Sequence, residues 1–219
     1  CGRRQRGVRQ PLTCCCFAHR LSATVVSMIV LDGMAGTQIN ERYSLEAVIG
    51  RGASGVVYRA RDQDGALVAL KLVGAGERAE QSARYLRGAR LAADLHHPNI
   101  VEVHESGRWG PNRSCYYLSM ELVEGVPLGR LLTIGLPPEQ AVGLMLQVLD
   151  AAAYVHARGT VHRDLKPDNV MVVREADGGL VCKVTDFGIA SNRLREAPVT
   201  QTGALVGTPA YMAPELTRA

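Results

Sequence analysis

The sequence predicts an α+β fold in two consecutive parts, an antiparallel sheet that carries one helix and then a mainly helical part. Strand-like runs with alternating apolar residues occur at Tyr43–Ile49, Val56–Ala60 and Leu67–Val73, which indicates an antiparallel meander. A helical pattern follows over residues 77–95. From Pro137 onward the apolar spacing becomes that of a long helix, so the second part is expected to be mainly helical.

Two further strands are expected in the first part. The turn Asp62–Gly65 links the second and third runs, and Val101–Ser106 and Cys115–Glu121 read as the added strands. On the predicted helix that precedes these two strands, Leu91 and Leu95 are expected to share one apolar face.

The second part is predicted to begin with a core helix that starts at Pro137 and ends near Gly159, where a glycine C-terminal cap belongs. Its expected core positions are Ala141, Leu144, Met145, Val148, Ala152 and Val155. Two short strands, Val170–Val173 and Val181–Thr185, are expected to form a hairpin after that helix.

Residues 1–42 are expected to be a disordered N-terminal extension. They are basic, then apolar over Leu21–Leu31, then rich in glycine, and the apolar run is too short to span a bilayer. Since the first residue is Cys1 rather than methionine, we interpret the chain as a fragment or as one with translated upstream sequence. Any membrane anchor is expected to lie outside these residues.

Composition excludes some partners and compartments. The net charge is +4, with much of the excess before residue 21, so no nucleic-acid partner is expected. The six cysteines have neither the regularity of a disulfide framework nor paired metal-ligand spacing. A reduced, cytoplasmic location is therefore the expectation.

The stretch His162–Asn169 contains most of the side chains suited to catalysis. It combines the carboxylates Asp164 and Asp168, the cations Arg163 and Lys166 and an amide in eight residues. Alone it would fit a charged surface turn, but it is one of several ordered motifs, which favours a role in phosphoryl transfer.

A glycine-rich hairpin tip lies upstream, where Gly50, Gly52 and Gly55 stand between two strands. That context argues against dinucleotide binding, which needs a strand followed by a helix. Glycine there lets backbone N–H groups approach phosphates, although a flexible hairpin tip would look the same. Lys71 shares a strand face with Ala69, and because the chain has only three lysines, a phosphate contact is favoured over a surface lysine.

With His162-Arg163-Asp164, Asp186-Phe187-Gly188 and Ala213-Pro214-Glu215 added, the chain resembles a bacterial-type (Hanks) Ser/Thr protein kinase from Tyr43 to about Glu215. The resemblance implies a bilobal kinase-like fold, with an N-lobe at 43–123 and an incomplete, mainly helical C-lobe at 124–219. The domain is interpreted as truncated after the Ala-Pro-Glu motif.

The same resemblance implies the roles of five side chains. Asp164 would be the catalytic base, and Lys166 would contact the γ-phosphate, as is typical of Ser/Thr specificity. Lys71 would hold the α- and β-phosphates of ATP, and Asn169 and Asp186 would bind Mg²⁺, with Mn²⁺ as an alternative.

The nucleotide pocket implied by the resemblance includes a gatekeeper, Met120, and a hinge from Glu121 to Val123. The residues expected to contact ATP are Ile49, Gly50, Gly52, Gly55, Val57, Ala69, Lys71, Met120, Glu121, Val123, Met171 and Asp186. His162 and Phe187 are expected in a hydrophobic spine between the lobes.

The resemblance also implies regulation by phosphorylation. Thr200 and Thr202 match a position where such kinases are autophosphorylated, and Arg163 would bind the phosphothreonine. The implied partners are proteins with Ser or Thr acceptors and a second kinase domain, in a dimer that autophosphorylates.

One departure from the family pattern leaves alternatives open. Gly88 stands where a helix glutamate should pair with Lys71, and Glu80 lies about 12 Å away along a helix axis. A nucleotide-binding pseudokinase is therefore the alternative to an active kinase. A small-molecule phosphotransferase is disfavoured by Lys166 and by the Ala-Pro-Glu ending.

Overall fold

The computed structural model describes residues 31, 33–52, 55–74, 79–111, 114–162, 164–187 and 211. Together these residues form two parts, each with its own sheet and helices, and we keep the names N-lobe and C-lobe for them.

The N-lobe is a six-stranded antiparallel sheet in the order β1-β2-β3-β4-β6-β5 with one helix, α1. The elements are β1 (Gln38–Ile39), β2 (Tyr43–Gly52), β3 (Gly55–Arg61), β4 (Leu67–Gly74), α1 (Ala79–Ala93), β5 (Val103–Trp109) and β6 (Cys115–Glu121). The five strands and the helix expected from the sequence are confirmed, whereas β1 was not anticipated.

The two faces of this sheet carry separate apolar clusters, as strand alternation requires. On β4, Val68, Leu70 and Leu72 point to an outer cluster. Ala69 points the other way, into an inner cluster with Ala89 of α1. The helix therefore covers only the inner face.

The outer face is covered by residues that precede the predicted N-lobe boundary. Leu31 and Ile39 are buried in the outer cluster, and Tyr58 donates a hydrogen bond to the Leu31 carbonyl and accepts one from the Met34 N–H. The expectation of disorder for all of 1–42 is therefore wrong for this stretch. Its apolar side chains pack on a sheet face that would otherwise be exposed to water.

The two ends of the sheet also approach each other, with β2 and the turn before it on one side and β5 and β6 on the other. Arg42 forms an ion pair with Glu105 at 2.5 Å, and the rings of Tyr43 and Tyr117 lie 5.9 Å apart. Asn40 donates to the Arg108 carbonyl at 3.3 Å. The sheet is accordingly strongly curled rather than flat.

The C-lobe combines a three-stranded sheet, in the order β7-β8-β9, with two helices. The elements are β7 (Val126–Pro127), α2 (Leu128–Ile134), α3 (Pro138–His156), a 3₁₀ helix (Pro167–Asn169), β8 (Val170–Arg174) and β9 (Leu180–Val184). The predicted helix and hairpin are confirmed, and β7 and α2 are additional.

Two apolar side chains lie on the opposite side from that expected. On α3 the buried stripe is Leu144, Val148, Ala151 and Val155, while Met145 is 51% exposed and Leu91 of α1 is 53% exposed. Because α3 has apolar residues around most of its circumference, spacing alone did not identify which stripe faces the sheet. Helix α1 packs on the sheet through Ala89 and Ala92 instead, which leaves Leu91 on its exposed side.

The two lobes are joined by backbone hydrogen bonds at β9. The Val101 N–H donates to Val184 O at 2.9 Å, and the Val184 N–H donates to Asn99 O at 2.8 Å. These bonds fix the end of β9, immediately before Asp186, against the N-lobe. Within the described residues, no helix is both long and apolar enough to cross a membrane.

Candidate active site

Asp164 is held by the segment that follows it. Lys166 Nζ donates to Asp164 Oδ2 at 3.0 Å, and Asn169 Nδ2 donates to the same oxygen at 3.2 Å and to the Asp164 carbonyl at 2.8 Å. The 3₁₀ helix that starts at Pro167 turns Asn169 back toward Asp164, since proline favours the first position of such a turn. The three predicted residues therefore meet in one constellation.

His162 connects this loop to the strand that carries Asp186. Its Nε2 lies 2.9 Å from the Thr185 carbonyl, which only accepts, so Nε2 carries the proton. Nδ1 then accepts from the Asp164 N–H at 3.3 Å. Burial lowers the pKa of His162, with partial opposition from its bond to Thr185 and from nearby carboxylates, and this favours the neutral ring that the two bonds require.

The two predicted metal ligands, Asn169 and Asp186, are fixed relative to each other. The Thr185 N–H donates to the Asn169 carbonyl at 2.9 Å, so the residue before Asp186 is bonded to the catalytic segment on both sides. Asp186 has a φ of +65°, a left-handed conformation that is uncommon outside glycine. Such backbone geometry is concentrated at functional sites.

Lys71 forms a direct ion pair with Asp186, with Nζ 2.7 Å from Oδ1. The lysine side chain is only 5% exposed and that of Asp186 is 21% exposed. On β4, Lys71 lies opposite Leu118 and faces the inner side of the sheet, as alternation from Ala69 predicts. A buried ammonium needs such a partner, so this lysine is not a surface residue.

The arrangement fits a magnesium ion that is bound mainly through phosphates and water. Both amide hydrogen-bond contacts of Asn169 use Nδ2, which leaves its amide oxygen as the metal-binding atom. Among the described residues no group of three or more His, Cys, Asp or Glu side chains forms a metal cage. Mg²⁺ on a nucleotide typically uses only one or two protein ligands, which Asn169 and Asp186 supply.

Of the three predicted glycines of the hairpin, only Gly55 occupies a position that excludes a Cβ atom. Gly55 has a φ of +139°, and a Cβ there would lie 2.1 Å from the Leu72 carbonyl oxygen. A Cβ on Gly50 would contact Val57 at an ordinary 3.6 Å, and one on Gly52 would have nothing within 4 Å. The tip residues between Gly52 and Gly55 lie outside the described residues.

Most of the predicted adenine-contacting side chains come together. Ala69 and Met120 belong to the inner cluster, and Val57 and Val123 pack against it. Ile49, by contrast, is 51% exposed, and Met171 lies on β8 in the other sheet.

The hinge contains an ion pair that sequence reasoning missed. Lys183 of β9 lies 2.7 Å from Glu121, the residue after Met120, so a C-lobe strand is bonded to the hinge. The signal was available, because Lys183 is the one lysine of the three that no motif explained.

Helix α1 presents no carboxylate to the site at position 88, where Gly88 is buried. One turn earlier, Tyr85 has a buried hydroxyl with no hydrogen-bond partner within the described part of the chain, and its ring lies 4.9 Å from that of Tyr116. Sequence reasoning did not select Tyr85, although its position three residues before Gly88 puts it on the same helix face.

The remaining predictions fall on residues that are not described. These are the activation-loop anchor Arg163, the phosphorylation sites Thr200 and Thr202, the glycine of the Asp-Phe-Gly motif, Gly188, and the closing motif Ala213-Pro214-Glu215.

Comparison with known proteins agrees with this geometry. The model of the protein kinase domain family matches residues 43–219. The serine/threonine-protein kinase PrkC of Bacillus subtilis is 35% identical over 84% of this chain and 28% of PrkC. PknA of Mycobacterium tuberculosis is 39% identical over 82% of this chain and 42% of PknA. The chain therefore spans less than half the length of these two relatives.

A solved structure shows the same fold. The crystal structure of a mutant of the PknI kinase domain of Mycobacterium tuberculosis matches with a TM-score of 0.62 and 28% identity, over 72% of this chain and 63% of that chain. The family match covers most of the sequence, the relatives named serine/threonine-protein kinases are 35% to 40% identical, and the described catalytic residues lie together in the structure. The chain belongs to the protein kinase domain family, among the bacterial Ser/Thr kinases of the Hanks type.

Proposed function

We propose that the protein transfers the γ-phosphate of ATP to Ser or Thr hydroxyls of other proteins. One observation carries the proposal: Asp164, Lys166 and Asn169 form a bonded constellation that His162 and Thr185 connect to Asp186 and its partner Lys71. Phosphoryl transfer needs positioning and neutralisation of charge more than covalent catalysis, and these side chains supply both.

Asp164 is the group assigned to the acceptor hydroxyl. Lys166 and Asn169 both bind its Oδ2, so Oδ1 is the oxygen assigned to orient the hydroxyl and receive its proton. The bond from His162 to the Asp164 N–H fixes the backbone at the same point. The base is thereby positioned before any substrate arrives.

Lys71, Asn169 and Asp186 are the residues assigned to Mg·ATP. The bound Mg²⁺ would supply neutralisation of the charge that develops on the phosphates. Lys71 would exchange Asp186 for the α- and β-phosphates, which frees the carboxylate to serve as a metal ligand. The adenine would lie beside Ala69 and Met120, at the hinge that Glu121 begins.

Lys166 supports a Ser/Thr acceptor. Its ammonium lies 3.0 Å from the proposed base, close enough to contact the transferred phosphate as well. Relatives named serine/threonine-protein kinases support the same acceptor class. Autophosphorylation of Thr200 or Thr202 within a dimer and a cytoplasmic location remain predictions.

A nucleotide-binding pseudokinase is the second candidate, and Gly88 is the observation that favours it. Loss of one positioning carboxylate is a smaller defect than loss of a reacting group, and the base and both proposed metal ligands are present. We therefore place the active kinase first.

The proposal is tested by incubating the intact protein with γ-labelled ATP, Mg²⁺ and a mixed protein substrate, followed by phosphoamino-acid analysis. We expect label on phosphoserine and phosphothreonine that disappears when EDTA is added. Label on phosphotyrosine alone, or transfer only to small molecules, would contradict the proposed acceptor. Binding of Mg·ATP without transfer would favour the pseudokinase.

A further inference from the structure

Helix α1 has no side chain at position 88, where one could support Lys71. Gly88 is buried and contributes no side chain. Tyr85 lies three residues earlier, and residues three apart occupy one face of a helix. Tyr85 therefore lies on the same face of α1 as Gly88, and its phenol is a polar group on that face.

The position of Tyr85 is fixed by Tyr116. The two rings lie 4.9 Å apart with an angle of 36° between their planes. Tyr116 is opposite Val73 on β4, and Leu118, two residues further on the same face of β6, is opposite Lys71. Tyr85 thus packs on Tyr116, whose pair with Val73 is adjacent to the pair of Lys71 with Leu118 on the same face of the sheet.

The hydroxyl of Tyr85 is buried and has no hydrogen-bond partner among the residues that the structure describes. Buried polar groups are normally paired, so an unpaired one in a native site needs an explanation. Burial, with a further contribution from the negative charge of Asp186, raises the pKa of Tyr85. The side chain is therefore a neutral phenol within electrostatic range of the Lys71–Asp186 pair.

We propose that Tyr85 is the positioning residue for Lys71 in the nucleotide-bound state. When Lys71 exchanges Asp186 for the phosphates, the phenol oxygen of Tyr85 accepts a hydrogen bond from its Nζ and holds the ammonium in place. A neutral oxygen thereby replaces the helix carboxylate that Gly88 lacks. The inference rests on the proposed nucleotide site, but it concerns phosphate binding and does not require transfer.

The test compares Mg·ADP with adenosine as ligands, measured by isothermal titration calorimetry on the intact protein. Tyr85→Phe removes only the hydroxyl and keeps the ring contact with Tyr116. Tyr116→Phe is the matched control, because it deletes from the same ring pair another buried hydroxyl for which the described residues provide no hydrogen-bond partner. Adenosine controls for the base pocket, since it carries no phosphate for Lys71 to hold.

We expect Tyr85→Phe to weaken Mg·ADP binding about tenfold, the scale of a hydrogen bond to a charged group. Its adenosine affinity should stay unchanged, and Tyr116→Phe should match the wild type with both ligands. Neither variant should lower the unfolding temperature of the free protein, because an unpaired hydroxyl contributes no bond to lose.

Equal Mg·ADP affinity for the wild type and Tyr85→Phe would overturn the inference. So would an equal loss of Mg·ADP and adenosine binding, or no Mg·ADP binding by the wild type. Failure of the proposed kinase function would appear separately, as Mg·ADP binding without phosphate transfer in the wild type.

Discussion

The glycine-rich hairpin contains one glycine that the fold requires, Gly55, and one that it does not, Gly52, and two alanine substitutions distinguish them. Gly55→Ala puts a Cβ 2.1 Å from the Leu72 carbonyl oxygen at a φ of +139°. The unusual backbone conformation costs about 1–3 kcal/mol. Relief of the clash requires β3 and β4 to separate locally, and each broken ladder bond adds roughly 1 kcal/mol. We expect a total loss of about 3 kcal/mol.

Gly52→Ala is the control, because its Cβ would meet nothing within 4 Å and its backbone is unstrained. Its free energy of unfolding should equal or slightly exceed that of the wild type, since alanine restricts the unfolded chain. Urea denaturation followed by circular dichroism measures both variants, with equal m-values as the check on two-state behaviour. If Gly55→Ala unfolds within about 1 kcal/mol of Gly52→Ala, the reasoning about the hairpin is wrong.

Three further predictions concern the contacts around the hinge and the catalytic loop. Lys183→Met should cost at most about 1 kcal/mol, because both side chains of its pair with Glu121 are partly exposed, and the loss should shrink in 1 M NaCl. Asn99→Ala should cost about 2–3 kcal/mol in urea unfolding, because the side-chain amide loses its hydrogen bond to Gln147 of α3 and its buried hydrogen bond to the Cys182 carbonyl of β9. The contribution of His162 to the free energy of unfolding should be complete above about pH 6.5. It should decrease below that pH, because the pKa of His162 is lowered in the folded state and protonation therefore favours the unfolded chain. His162→Gln should flatten that pH dependence, and an unchanged slope would argue against a buried neutral ring.

Strand positions and the catalytic motifs were predictable because they depend on local patterns. Alternation on β4 placed Ala69 and Lys71 on one face and Leu70 on the other, and the structure confirms this. The spacing of His162–Asn169 was likewise enough to bring a base, a cation and an amide together, since all lie within one loop and one 3₁₀ turn.

What the sequence left open depends on contacts between distant segments. Ile39 is buried by a sheet face whose other strands come later in the chain, so local composition suggested disorder instead. The pairing of Lys71 with Asp186 joins residues from different lobes, and no local pattern specifies it. Met145 was assigned to the core because several apolar stripes run along α3, and only the position of β9 selects among them.

The most direct test of the account is phosphate transfer by Asp164→Asn, compared with Asp168→Asn as the matched control. Both substitutions turn a carboxylate into an amide in the same loop, but only Asp164 binds Lys166 and Asn169. We predict that Asp164→Asn lowers kcat by at least about 100-fold with Mg·ADP affinity retained, while Asp168→Asn transfers phosphate like the wild type. Equal transfer by the two variants would contradict the assignment of Asp164 as the catalytic base.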